Sequence, residues 1–251
     1  MRIDYPMADQ LPGLSDLWTE AFGERAFWDT FLSGVFTADQ CRCVTVSDRV
    51  VSALYWFDCS CGTDRIAYLY AVATGAAYRH RGLCRALMED THALLKSRGY
   101  TAAMLVPENE GLRRLYEKLG YETCTTVREF TCGAGEEASD LCQIGREEYA
   151  VLRRQYLPAG GVLQEGQNLL HLETMARFWK GENVVLAAFA EGDSLHCPEL
   201  LGREEDAPGI VRSFGCTRGT FRVPGKEKSF AMFRPLGRCG GVPRYFGLAF
   251  D

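Results

Sequence analysis

The sequence predicts an α/β (α+β) protein: a mixed β-sheet flanked by helices over residues 1–132, followed by a second α+β unit over residues 140–251. Three observations carry this. The helical and β-rich runs over residues 1–130 follow the order ααβββαβαβ. A helical run ending near Arg98 connects a strand at 66–74 to one at 101–106, and such a crossover makes the two strands parallel neighbours. A polar stretch, GAGEEASD at 133–140, then separates these elements from further helices and strands.

Each element has its own signal. LPGLSDLWTEAFG places Leu14, Leu17, Trp18 and Phe22 at helical spacing, and ERAFWDTFLSGVF does the same with Phe27, Phe31 and Leu32. Gly23 and Gly34 end these two helices. Trp28 and Phe31 can equally line a pocket or pack the helices together. CRCVTVSDRVVSALYWFDCS holds two β-rich runs around Ser47-Asp48-Arg49, which predicts a hairpin. RIAYLYAVAT is the third strand, and the helix after it is capped by Gly99. TAAMLVPE is a short strand. NEGLRRLYEKLG is a helix with Asn109 near its N-cap and Gly120 past its end. YETCTTVREFTC reads as the last strand of this half. In the second half, helices are expected near 144–157 and 168–180. VVLAAFAEGDSLHCPELLG reads as a hairpin, a short helix as lying near 205–214, and GTFRVPG, KSFAMFRPL and RYFGLAF as strands.

Charge and cysteine usage exclude several classes. The net charge is -5, carried as -3 by residues 1–130 and -2 by residues 131–251. Neither half is basic, which argues against nucleic acid as a partner. The uncharged run Ile66–Tyr78 is well short of the ~20 residues of a membrane span. MRIDYPMADQ lacks the basic and apolar regions of a signal peptide, so a cytoplasmic protein is expected. The 11 cysteines are an odd number without that signal, which favours thiols over a disulfide framework. Cys41/Cys43 and Cys59/Cys61 are C-x-C pairs. On strands their members share a face and pack as small apolar groups, so no metal is expected.

The chemistry concentrates in AVATGAAYRHRGLCRALMED, residues 71–90. An apolar strand stops at a small-residue loop. Arg79, Arg81 and Arg85 then bracket Gly82 where a helix begins. A helix N-terminus leaves backbone N–H groups unpaired and carries the positive end of the macrodipole, so it attracts anions. Glycine there lets the anion approach the backbone, and arginines add charge and donors. This predicts a phosphate or pyrophosphate cradle over His80–Arg85, including Leu83 and Cys84. It is neither a P-loop nor a dinucleotide fingerprint, since GxxxxGK[ST] and GxGxxG are both missing. The alternative is a solvated arginine face.

V-A-T-x-x-x-Y-R-x-R-G-L-x-R-x-L-M resembles the acetyl-CoA-binding segment of the GNAT N-acetyltransferase superfamily, [R/Q]-x-x-G-x-[G/A] at the start of a helix. Arg79 and Gly82 fill the first two positions. Cys84 stands where the family prefers Gly or Ala. PENEGLRRLYEKLGY resembles the later Asn…LY-x-x-x-G-[FY] signature, with Asn109, Tyr116, Gly120 and Tyr121. The resemblance covers residues 1–130 and implies an acetyltransferase-type fold with acetyl-CoA as co-substrate. By that resemblance the backbone of Val72, Ala73 and Thr74 would pair with the pantetheine arm, and an N–H of Val72 or Ala73 would polarise the thioester carbonyl. His80 to Arg85 would hold the pyrophosphate, and Asn109 would contact the cofactor. Tyr116 would protonate the departing thiolate. Read from periodicity alone, Tyr116 is a core tyrosine, and Asn109 serves equally as a helix cap.

The finer pattern resembles tandem-domain acetyltransferases of the enhanced-intracellular-survival type, in which a degenerate acetyltransferase-like domain follows the first. The two domains would then be 1–132 and 140–251. In that subgroup a C-terminal carboxylate acts as base, a role that falls here to Asp251. Glu20 and Glu129 are weaker base candidates. A third, sterol-carrier-like domain of that subgroup has no counterpart in these 251 residues, which weakens the case for an aminoglycoside acceptor. The expected reaction is acetyl transfer to a primary amine of a small molecule, peptide or protein. The second half would cover the acceptor cleft or support a homodimer. The competing readings are a non-catalytic acyl-CoA-binding sensor or scaffold, and a transferase for longer acyl chains. His92, His171 and His196 are isolated and suit structural or surface roles.

Overall fold

The computed structural model describes residues 1–23 and 25–250. The chain forms two compact units. The first comprises Met1–Glu122 and Phe233–Gly240, and the second comprises Thr123–Met232 and the residues from Gly241 on.

The first unit contains β1 (Arg2–Asp4), α1 (Leu11–Phe22), α2 (Arg25–Gly34), β2 (Cys41–Val46), β3 (Arg49–Cys61), β4 (Asp64–Thr74), α3 (Leu83–Ser97), β5 (Ala102–Leu105), α4 (Glu110–Glu117) and β6 (Glu122–Thr123). β1 to β4 pair antiparallel in sequence order, and β4 pairs parallel with β5 as the crossover requires. Ser47 and Asp48 have φ 48 and 61, the positive values of a primed hairpin turn whose twist matches the strands it joins. Leu14, Leu17 and Trp18 form the buried face of α1. Trp18 stacks on Phe31 with ring centroids 5.1 Å apart and meets Tyr55 and Tyr70 edge-on. Trp28 and Phe31 are 1% and 3% exposed, so both belong to this aromatic core.

The second unit contains β7 (Thr126–Gly133), β8 (Cys142–Ile144), α5 (Arg146–Tyr156), β9 (Leu163–Gln164), α6 (Gln167–Leu172), β10 (Arg177–Lys180), β11 (Val184–Glu191), β12 (Ser194–Gly202), α7 (Ala207–Ser213), β13 (Arg218–Pro224) and β14 (Lys228–Ser229). Its sheet runs β14-β7-β13-β12-β11-β10-β8. β11 and β12 form the hairpin expected around Gly192, and β12, α7 and β13 make a second parallel crossover. Here no glycine-bearing anion loop precedes the helix: Glu204–Asp206 form a 3-10 turn that leads directly into α7.

Four expectations change at this level. YETCTTVREFTC is two strands, β6 and β7, and β7 joins the second sheet. KSFAMFRPL also divides: Lys228–Ser229 pairs with β7, whereas β15 (Met232–Pro235) lies between β5 and β6. The helix expected over 168–180 stops at Leu172. Arg177–Lys180 instead forms β10, bonded on both sides by β8 and β11, so sheet pairing overrides local periodicity. RYFGLAF is not a strand. Tyr245 makes one isolated bridge to Gly161, its carbonyl accepting the Val162 N–H at 2.9 Å, and side chains hold the segment further. Gln164 Nε2 donates to the Leu248 carbonyl at 2.5 Å, and the Leu248 N–H donates to Gln164 Oε1 at 3.1 Å. The Tyr245 hydroxyl donates to Glu199 at 3.0 Å. Phe246, Leu248 and Phe250 are buried, and Phe250 meets the His171 ring edge-on at 4.9 Å.

Candidate active site

β4 carries the first part of the site. Ala53 pairs with Ala73 and Tyr55 with Tyr70, so Ala71 and Val72 together oppose the single residue Leu54. This is a β-bulge, and Ala71 takes it up at φ 48. The β4–β5 ladder runs from Ile66/Ala102 to Tyr68/Met104, whereas β4 continues to Thr74. The bulge therefore lies where β4 has left β5. Ser52 Oγ fastens the far end, 2.7 Å from the Ala73 carbonyl oxygen and 2.8 Å from Thr74 Oγ1.

The loop after β4 is tied down at several points. The Gly75 N–H donates to the Val51 carbonyl at 2.9 Å. The Ala76 N–H donates to Glu20 Oε1 at 2.5 Å, which places Glu20 on α1 as an anchor of the loop's 3-10 turn. Arg79 Nε donates to the Thr74 carbonyl at 3.0 Å. Arg81 lies over the Tyr78 ring at 5.4 Å. His80 and Gly82 both have positive φ, 62 and 77, and Gly82 is the N-cap of α3. Gly82 supplies no side-chain cap, and the first helical bond runs from the Ala86 N–H to the Gly82 carbonyl. The N–H groups of Leu83, Cys84 and Arg85 thus have no earlier carbonyl within the helix to bond. A Cβ at Gly82 would meet nothing within 4 Å, so the space over the cap is open. Arg85 reaches Glu89 at 3.6 Å along the exposed face of α3.

Asn109 caps α4, its Oδ1 accepting the Leu112 N–H at 3.0 Å. The other end of its amide, the NH2 group, remains a donor. About two turns beyond Asn109, Tyr116 is 5% exposed. Burial, with the Cys84 thiol as a second influence, raises its phenol pKa above the ordinary tyrosine value, so it holds its proton at neutral pH. Val72 to Thr74, Arg79 to Arg85, Asn109 and Tyr116 all belong to the first unit.

The base candidates fare differently. Glu20 is occupied with the loop. Glu129 sits on β7 in the second unit. Burial opposes its ionisation, but Lys228 at 2.5 Å and Arg222 at 3.0 Å outweigh it and hold its carboxyl below the usual range. Asp251 lies outside the described residues.

Sequence reasoning missed the Ala71 bulge, which has no sequence signal, and the side chains around Tyr116. His92 is 5% exposed on the buried face of α3 that also carries Met88 and Leu95. Its spacing from them was the available signal. Among the described residues, no group of three or more His, Cys, Asp or Glu side chains could hold a metal ion, and no helix is long and apolar enough to cross a membrane.

Residues 2–124 match the family model described as Acetyltransferase (GNAT) domain. A comparison with curated proteins finds no match. Among solved structures, the chain is similar to a GCN5-related N-acetyltransferase from Kribbella flavida, with TM-score 0.70 and 17% identity over 93% of this chain and 70% of that one. A GCN5-related N-acetyltransferase from Anabaena variabilis ATCC 29413 gives TM-score 0.72 and 13% identity over 94% and 73%. Eis1 from Mycobacterium abscessus gives 0.66 and 12% over 94% and 74%. At these identities the likeness is one of fold.

Proposed function

We propose, from the match of residues 2–124 to the GNAT acetyltransferase domain model, that this protein is an N-acetyltransferase that uses acetyl-CoA and acts on a primary amine. The observation that carries the reading is the run from the bulged end of β4 into the Gly82-capped start of α3. The diverging backbone of Val72, Ala73 and Thr74 offers hydrogen bonds to a pantetheine arm. An N–H at the bulge suits a thioester oxygen that gains negative charge. The open helix end over Leu83–Arg85, with Arg79, His80 and Arg81 beside it, suits the pyrophosphate.

The amine nitrogen attacks the thioester carbonyl carbon, a C–N bond forms, and the C–S bond breaks. The sulfur takes the proton of the Tyr116 hydroxyl, which burial keeps in place until then. The proton lost by the amine goes to the Asp251 carboxylate, directly or through water. The tail is buried and bonded as far as Phe250, the last described residue. The second unit, with its own parallel crossover over β12, α7 and β13, supports a tandem, degenerate acetyltransferase-like domain over 140–251. The thiol-rich composition suits a cytoplasmic setting.

Calorimetric titration of acetyl-CoA into wild type and Gly82→Glu tests the reading. Binding by wild type and loss in the variant is expected, because a carboxylate would occupy the space above the cap. Failure of wild type to bind acetyl-CoA would overturn it. Turnover of a primary-amine panel by wild type, lowered at least about a hundredfold in Tyr116→Phe with binding kept, separates an enzyme from a non-catalytic acyl-CoA sensor.

A further inference from the structure

Behind Tyr116 lies a buried polar chain assembled from three distant parts of the sequence. Tyr121 packs its ring edge-on against Tyr116, centroids 5.9 Å apart. The Tyr121 hydroxyl is 2.7 Å from His92 Nε2. His92 Nδ1 is 3.0 Å from Arg234 Nη1, and the same Nη1 donates to the Leu119 carbonyl at 2.5 Å. Tyr121 and His92 are 1% and 5% exposed. All four residues and Leu119 belong to the first unit.

The donor chemistry gives the chain a direction. A guanidinium only donates, so His92 Nδ1 must accept from Arg234. The imidazole proton then sits on Nε2 and is donated to the Tyr121 oxygen. Burial, then the Arg234 charge, lowers the His92 pKa to about 3 and keeps the ring neutral, in agreement with that tautomer. The Tyr121 hydroxyl hydrogen is thereby turned away from His92. The backbone completes the hold: the Leu119 and Tyr121 N–H groups both donate to the Tyr116 carbonyl, at 2.9 and 3.1 Å, with Gly120 between them at φ 80. Arg234 adds a cation at the carbonyl end of α4, where it also favours the helix dipole.

We propose that Arg234, His92 and Tyr121 are positioning residues for the Tyr116 phenol, fixing its ring and the end of α4 so that the hydroxyl meets the leaving sulfur. This rests on the reading of Tyr116 as the acid. It gives β15, which returns to the first sheet after the second unit, a role in catalysis: Arg234 stands at the head of the chain.

A double-mutant cycle tests it. Tyr121→Phe removes one hydroxyl and keeps the ring. Its kcat for acetyl transfer from acetyl-CoA to the best acceptor of a primary-amine panel should fall roughly tenfold, within what a small misplacement of a reacting group costs. KM for acetyl-CoA should hold, and the melting temperature should fall by no more than a few degrees, because the buried His92 Nε2–H loses its acceptor. In a Tyr116→Phe background the same change should cost nothing further, because its effect passes through Tyr116. An equal loss in both backgrounds, or no loss in either, overturns the inference while leaving Tyr116 as acid. Full turnover in Tyr116→Phe alone, or no transfer by wild type, removes the acid reading and the inference with it. Independently of activity, the nitrogen NMR spectrum should show His92 protonated at Nε2 and not at Nδ1, and the opposite tautomer overturns the direction of the chain.

Discussion

Arg79 Nε donates to the Thr74 carbonyl oxygen at 3.0 Å, so the first arginine of the Arg-x-x-Gly run ties the end of β4 to the loop that follows it. The side chain helps to shape the loop as well as charging it. Arg79→Ala should weaken acetyl-CoA binding roughly tenfold, the equivalent of about 1.4 kcal/mol. Calorimetry measures this, and an unchanged Kd would show that the loop holds its shape without Arg79.

The second unit has a buried ionic centre. Glu199 is 0% exposed and accepts from Arg153 Nε and Nη2 at 2.6 and 2.9 Å, and from the Tyr149 and Tyr245 hydroxyls at 2.9 and 3.0 Å. Glu199→Gln leaves the Arg153 charge buried without its counter-charge. A loss of about 3–5 kcal/mol is expected. Urea unfolding followed by tyrosine and tryptophan fluorescence reads it, and a loss below about 1 kcal/mol would mean that water or a rearranged tail relieves the charge.

Removal of Phe250 and Asp251 should abolish acetyl transfer while acetyl-CoA still binds, since the tail lies in the second unit and the proposed cofactor loop, Arg79–Arg85, in the first. Steady-state kinetics beside calorimetry separates the two effects. A truncated protein with full activity excludes Asp251 as the base.

Both buried histidines predict weakening in acid. His92 is lowered to about 3 by burial and then Arg234, and His171 to about 4 by burial. An unfolded histidine titrates near ~6.5, so below that pH the unfolded chain takes up protons that the folded protein refuses. Stability is therefore complete above ~6.5 and falls as the pH drops toward the folded values, by up to ~1.4 kcal/mol per pH unit for each ring. Urea midpoints at pH 7 and pH 5 measure the slope. A midpoint that does not move between them would show that neither ring is held neutral.

Local chemistry made much of the first unit legible. Gly82 at a helix start, the arginines around it and the Ser47-Asp48 turn depend on residues within a few positions of each other, and the strand–helix–strand crossover on one contiguous stretch of chain; all appear as read. The second unit was less legible. RFWK is helical by continuation and a strand by pairing, and YFGLAF looks like a strand yet is fixed by Gln164 and Glu199. In both, the deciding partner lies far away in the chain.

The same division runs through the site. The sequence by itself determined the glycine-capped, arginine-flanked helix start and the presence of a tyrosine and an asparagine on the next helix, because backbone geometry and side-chain type suffice for those. Only the tertiary structure decided that Ala71 and Val72 bulge from β4, that Glu20 anchors a loop, and that Arg234, 142 residues from His92, stands behind Tyr116. A bulge is a mismatch between two strands, and a buried hydrogen bond needs both partners in one place, so neither exists until the chain has folded.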